Sequence, residues 1–400
     1  MAVRVPTLLA STRGVNLLTQ LNRDLLLAQE QIATGRRIVT PADDPAGAAR
    51  AVSFRESISQ IQQFTRNAET VEPRLQFSEQ TLTAVVDVVQ RTRELTIQAA
   101  NSTQSNESRA AIAAELRENL KALVDLANTR DGAGRYLYAG FADRVEPFTV
   151  GANGVAYFGD DGQRTVRISE NRYVTDGDPG GAVFMDIAES NGVFTSEPAA
   201  GNTGTGIVAA QTVDDAAAYD GGDYTVRFLA ADSYEVVDSG NVVIATGSFA
   251  PGDSVAFNGV RVTLDGQPAA GDEFDVQAAG RQSVFATVEQ LATALENGSA
   301  DPAGAAVLAS TLNRGLENLD QALSGMTDVR TTIGSRLLAI ETQIDVNAEA
   351  ELQTRSTLGD IEDLDYTEAI TRLSQNLTAL QAAQQSFVQI QGLSLFDLLR

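Results

Sequence analysis

Both ends of this 400-residue chain carry apolar residues at alternating three- and four-residue steps, and a long glycine-rich stretch lies between them. Near the start the series is Leu18, Leu21, Leu25, Ala28 and Ile32; near the finish it is Tyr366, Ile370, Leu373, Leu377, Leu380, Gln384 and Phe387. Such spacing lays a narrow apolar seam along one side of a helix, the geometry used to pack lengthwise against another helix. Each terminal helix therefore needs a partner. The simplest arrangement sets the two ends side by side, so the expected fold is α+β: a long antiparallel helical bundle built from both chain ends, with a β-rich central domain at one tip.

The interior supports that order. Gly35 to Gly47 reads as a turn-rich connection, and Asp44-Pro45 is a helix start, with the carboxylate capping free N–H groups and proline in the first helical position. One seam then runs Ile61, Phe64, Ala68, Val71, Leu75, Ser78, Leu82, Val85 and Val89, with Pro73 expected to kink it. After the polar break Asn101 to Asn106, a second helix reads through Ile112, Leu116, Leu120, Leu123 and Leu126, ending near Asp131-Gly132. From about Pro147 the period becomes two. Asp161-Gly162 and Asn258-Gly259 are placed as tight hairpin turns, and the Ala/Gly/Thr-rich run Ala199 to Ala218 as a flexible strap between two β lobes. Helical writing returns near Ser283, restarts at Asp301-Pro302 and holds one register from Leu312 to Ile344. Asp365 to Glu368 resembles a capping box opening the last helix. The expected domains are residues 1–44 with 346–400, residues 45–146 with 281–345, and a β-rich domain at 147–280.

Composition narrows the function. Formal net charge is -24, and residues 147–280 hold 20 Asp/Glu against 5 Arg, while residues 1–40 hold 5 Arg against 2 acids. That balance argues against a nucleic-acid backbone or an anionic membrane as partner, since both are bound by Lys and Arg. There is no Cys and no His, and Lys121 is the sole lysine. Thiol chemistry, Cys- or His-ligated metals and the commonest general base are therefore excluded, and no nucleophile-base pair remains. No catalytic residue, cofactor or metal ligand is assigned, and the chain is read as a non-enzyme. Asp160-Asp161-Gly162 and Asp176-Gly177-Asp178 invite a calcium reading, but turn chemistry accounts for Asp and Gly there. Adjacent Asp272 and Glu273 are read as solvated surface, and Lys121 as a helix-surface charge. Residues 1–10 lack a signal-peptide core, and no apolar run is long enough to span a bilayer, which predicts a cytosolic chain or export without a cleavable signal.

Several segments together resemble the flagellin superfamily of bacterial axial proteins. They are Ala33 to Ile38, Pro41 to Gly47 and Arg93 to Asn101 at the amino end. Gly134 to Gly140, with Pro147-Phe148 beyond it, Leu364 to Ile370 and the ending Ser394 to Leu399 are similar, more narrowly, to its hook-filament junction family. Gly159 to Arg164 adds a weaker match in the middle. The resemblance implies a structural adaptor joining hook to filament, exported by the flagellar type III route to an extracellular place on the flagellum. Flagellin, a neighbouring hook-associated junction protein, an export chaperone and further copies of the chain in a ring are the implied partners. A filament subunit is the alternative, and a non-flagellar fibre or adhesin a third reading. In the family the extreme terminal helices order on polymerisation, which carries over here to Val5 to Ile32 and Tyr366 to Leu399. The polymerisation interface is accordingly placed on Leu18, Leu21, Leu25, Ile32, Ile370, Leu373, Leu377, Leu380 and Phe387. Little chain remains to cover those seams, whereas the seams between Asp44 and Ile344 are assigned to internal core.

Overall fold

The computed structural model describes residues 7–398 except 102, 153, 299 and 300; of residues 7, 8, 10, 11 and 390–398 it describes the backbone alone. Val5, Leu399 and the side chains of Ser394 to Leu398 therefore lie outside the described residues. Helices α1 (Thr7–Thr34), α2 (Pro45–Ala100) and α3 (Asn106–Ala127) precede the strands, and α4 (Val284–Glu296), α5 (Pro302–Glu362) and α6 (Tyr366–Leu398) come after them. Terminal helices enclosing a β-rich middle are the order expected from the sequence.

The helix starts follow from their caps. Asp44 Oδ1 accepts from Gly47 N at 2.9 Å with Pro45 in the first position, and Asp301 Oδ2 accepts from Gly304 N at 3.1 Å ahead of Pro302. Asp365 Oδ1 accepts from the N–H groups of Thr367 and Glu368, which opens α6. Helix α2 continues unbroken through Pro73, and α3 stops at Ala127, a few residues before the turn at Asp131.

The chain forms two compact units. One comprises the residues up to Arg66 together with those from Gln343 onward; the other is Asn67–Thr342. In the first, the ion pair Arg55–Glu362 and the 2.7 Å hydrogen bond from Gln62 to Glu351 run in opposite directions along α2 and α5, so these segments are antiparallel. In the second, Glu79–Arg330 and Arg93–Asp320 show the same sense. Its core lies on the expected seam, with Ala68, Val71, Leu75, Leu82, Val85 and Val89 buried from α2 and Leu312, Leu319, Met326, Ile333 and Ile340 from α5. Helix α3 joins through Arg91–Glu115, and α4 through Arg117–Glu296.

Strands β1 (Phe148–Gly151) and β2 (Gly154–Tyr157) form one hairpin, and β3 (Thr165–Arg167) and β4 (Tyr173–Thr175) another. Asp161-Gly162 thus joins two hairpins rather than turning one, correcting the expectation. Asp160 is the reason. Its carboxylate accepts from the N–H groups of Phe141, Ala142 and Gly162, tying the segment back to residues 141–142 instead of reversing it. A two-residue strand β5 (Ile187–Ala188) comes next.

The remaining strands are β6 (Phe194–Pro198), β7 (Ile207–Val213), β8 (Tyr224–Ala230), β9 (Ser233–Asp238), β10 (Val243–Ser248), β11 (Ser254–Phe257), β12 (Val260–Asp265), β13 (Glu273–Ala278) and β14 (Arg281–Gln282), the last pairing with β5. Two sheets, ordered β10-β9-β8-β13-β6 and β11-β12-β7, share one core that includes Phe194, Val226, Phe228, Val262 and Phe274. The turn at Asn258-Gly259 has both residues at positive φ, 41° and 77°, the type I′ geometry that glycine permits.

The expected strap is overturned. Residues 207–213 form β7, paired along its length with β12, and β6 belongs to the same module through β13, so the lobe boundary falls before Phe194 rather than after it. The alternation is hidden because the buried Gln211 takes an inward place and β7 itself is bulged, with Ala209 passed over between the pairs Ala210–Thr263 and Val208–Leu264. The Gly134 to Gly140 segment is a loop, exposed at Gly134 and buried from Tyr136 to Ala139. Tyr136, Leu137, Tyr138 and Ala139 are all buried, and Tyr138 Oη donates to Ser78 O of α2 at 3.3 Å.

Candidate functional site

The paired chain ends make the candidate site, within the first unit. Helices α1 and α6 pack lengthwise and antiparallel: Gly14 abuts the ring of Phe387, and Gly35 abuts Tyr366. Of the seam residues named from sequence, Leu380 is buried, while Leu18, Leu21, Leu25, Ile32, Leu373 and Phe387 are half-buried. Ile370 and Leu377 remain 55% and 41% exposed. Two small residues bury most completely, Ala28, which the seam includes, and Ala369, which it does not, because an alanine contributes little to an apolar stripe yet permits close helix approach.

Two helices can bury only the side they share. Val15, Leu17, Leu26, Ile370, Leu377 and Val388 stay exposed on this pair. Between Arg372 and Asp397 no residue is charged, and the polar positions are Gln, Asn, Ser and Thr. Such a surface can be buried against another protein without stripping water from an ion, which is the expensive part of polar burial.

The segment 33–47 holds the pair to the rest of its unit. Gly35, at φ 69°, ends α1, with its N–H on Gln31 O and its own carbonyl accepting from Leu364 N. Arg37 N donates to Glu362 O, and the Arg37 guanidinium donates to Ile361 O at 2.6 Å and faces Asp44. The hydrogen bond from Gly47 N, with further help from the Arg37 charge, holds the Asp44 carboxyl below its ordinary range. Ile38 is buried against Gly47, where a side chain would collide with it. Four helix ends, those of α1, α2, α5 and α6, are thereby fixed to one loop.

Three of the four carboxylates considered for calcium have protein partners. Asp160 accepts backbone N–H groups, Asp176 faces Arg164, and Asp178 forms a two-pronged pair with Arg336 at 2.8 and 2.9 Å. Lys121 pairs with Glu118 on the surface. Asp272 corrects the reading of solvated surface: it is 2% exposed and accepts from the N–H groups of Thr203, Gly204 and Ala269. Glu273 beside it pairs with Arg227.

Residues 5–143 match the model of the bacterial flagellin N-terminal helical region, and residues 316–399 that of the C-terminal helical region. The crystal structure of FlgL from Xanthomonas campestris is 35% identical, with a TM-score of 0.73, over 76% of this chain and 99% of that one. The chain belongs to the FlgL family of the flagellin superfamily. Flagellar hook-associated protein 3 of Escherichia coli (strain K12), 26% identical, aligns over 92% of this chain and 91% of its own length. Flagellin B of Helicobacter pylori, 30% identical, aligns over only 38% of this chain and 29% of its own. Likeness to FlgL proteins therefore runs through the β-rich middle, whereas this flagellin match stops well short of the whole.

Proposed function

We propose that this chain is the structural adaptor of the bacterial flagellum that joins hook to filament, and that it assembles through α1 and α6. The observation that carries the reading is the apolar face those helices leave uncovered, free of charge along α6 between Arg372 and Asp397, in a chain whose relationship to FlgL proteins runs nearly end to end. Neighbouring copies in a ring, a second hook-associated junction protein on one side and flagellin on the other supply the missing contacts. Each leucine so buried contributes about 1.5–3 kcal/mol, and several together hold a subunit in place. The chain travels to the flagellar exterior in the care of an export chaperone. The reading assigns it no reaction, metal or cofactor. A filament subunit is the weaker alternative, because the flagellin match covers little more than a third of the chain.

A strain lacking this chain tests the proposal. Hooks should form, flagellin should be secreted into the medium as monomer, and the wild-type chain supplied in trans should restore attached filaments. Attached filaments in the deletion strain would refute an adaptor role.

A further inference from the structure

Five side chains of α5 reach the β-rich part of the second unit. Ser310 Oγ accepts from Val208 N at 3.0 Å, Asn313 Nδ2 donates to Val208 O at 3.0 Å, and Asn318 Oδ1 accepts from Ser190 N at 2.6 Å. Arg314 pairs with Glu197 of β6, and Glu317 Oε2 accepts from Gln211 Nε2 of β7 at 3.0 Å. Gln211 is itself 9% exposed, and its Oε1 accepts from Ser196 N at 2.6 Å. The joint between the two-sheet module and α5 is thus held by a cluster of buried and half-buried polar groups, and Glu317 is its central carboxylate.

The charges there do not balance. Facing the cluster are Glu189 from the β5–β6 loop, Glu197 from β6, and Glu317 and Asp320 from α5. Against them stand Arg314 and, on Asp320 alone, Arg93 of α2 at 2.6 Å. Glu197 and Asp320 are half-exposed and paired with Arg314 and Arg93, so ionised Glu317, itself half-buried, adds a negative charge beside Glu189 that no further arginine offsets. Two further features make closure marginal. Ser190, fixed by Asn318, sits at φ 48°, a left-handed conformation unfavourable for serine, and the buried Ser196 Oγ has no hydrogen-bond partner.

We propose that this joint is a pH-sensitive latch, closed while Glu317 is protonated and loosened when it ionises. Burial pushes the Glu317 carboxyl up to about 7, reinforced by Asp320 and opposed by hydrogen bonding from Ser190 and Gln211 and by the Arg314 charge. The folded value is raised, so the protonated form's contribution is fully present below the ordinary glutamate range and is lost as pH rises through about 7. When the latch loosens, Ser190 relaxes and strands β6 and β7 lose their side-chain ties to α5.

Hydrogen exchange of the full chain, corrected for intrinsic rates, reads this directly in peptides covering residues 189–213. Wild-type protection should fall between pH 5 and 7, by up to about tenfold per pH unit, and level off by pH 8. Glu317→Gln keeps the shape and the acceptor for Gln211, and should make the profile flat. Asp320→Asn, which leaves Glu317 ionisable, should keep the slope. A wild-type profile without slope, or a slope that persists unchanged in Glu317→Gln, would overturn the latch.

Discussion

Gly14 of α1 lies so close to Phe387 of α6 that a β-carbon on the glycine would stand 2.7 Å from Cδ2 of the ring. Residues near opposite ends of the chain are thus in van der Waals contact, and the helix pair has no room for a side chain at that point. The contact sets the antiparallel register in which Gly35 meets Tyr366 farther along.

Gly14→Val should wedge the pair apart. A branched side chain forced into a packed contact costs about 1–3 kcal/mol. The low-temperature part of the helical melting curve, followed by circular dichroism on the full chain, should shift downward, while unfolding of the Asn67–Thr342 unit stays in place. An unshifted curve would mean the pair tolerates the wedge.

Leu373→Ser with Leu377→Ser should injure assembly far more than the monomer. Leu377 is already 41% exposed and Leu373 half-buried, so the isolated chain loses little, on the order of 1 kcal/mol. In an assembled structure both would be covered, and each burial lost costs about 1.5–3 kcal/mol. Secretion should be normal and filament attachment lost. If purified double mutant unfolds at room temperature instead, the seam is ordinary internal core.

Tyr136 and Tyr138 anchor the loop leaving α3. Tyr138 is wholly buried, meets Phe184 edge to face at 5.1 Å and hydrogen-bonds Ser78 O. Tyr138→Phe should cost about 1 kcal/mol for the lost hydrogen bond, and Tyr136→Ser with Tyr138→Ser about 3–5 kcal/mol or more for the lost packing. Calorimetry of the full chain should therefore rank wild type, Tyr138→Phe and the double variant in descending melting temperature. Equal values for wild type and the double variant would show that the loop packs without its rings.

Acid should act oppositely on Asp160 and Glu317. The N–H groups of Phe141, Gly162 and Ala142 hold the Asp160 carboxyl below its ordinary range, so its stabilisation is present above that range and lost as pH falls through the lowered value. Thermal melts taken from pH 5 down to pH 3 should lose less in Asp160→Asn than in wild type. Equal losses would place the acid sensitivity in other carboxylates.

Much of this was legible in the sequence because helices announce themselves locally. The seam from Phe64 to Val89 and the Asp-Pro starts at 44 and 301 needed only spacing and cap chemistry. What stayed hidden was set by tertiary structure. Strand β7 presents a buried glutamine where alternation calls for an apolar residue, and Gln211 makes sense only beside Ser196 and Glu317. Asp160 reads as a turn residue until its three N–H donors, two of them 18 and 19 positions earlier, are seen. In the candidate site the leucines and Ala28 were readable, while the roles of Gly14 and Ala369 depend on what each helix meets.

Immunogold electron microscopy of intact flagella, with antibody raised against this chain, tests the central claim most directly. The adaptor reading predicts label confined to the boundary between hook and filament; label distributed along the filament, or absent from the flagellum, would contradict it.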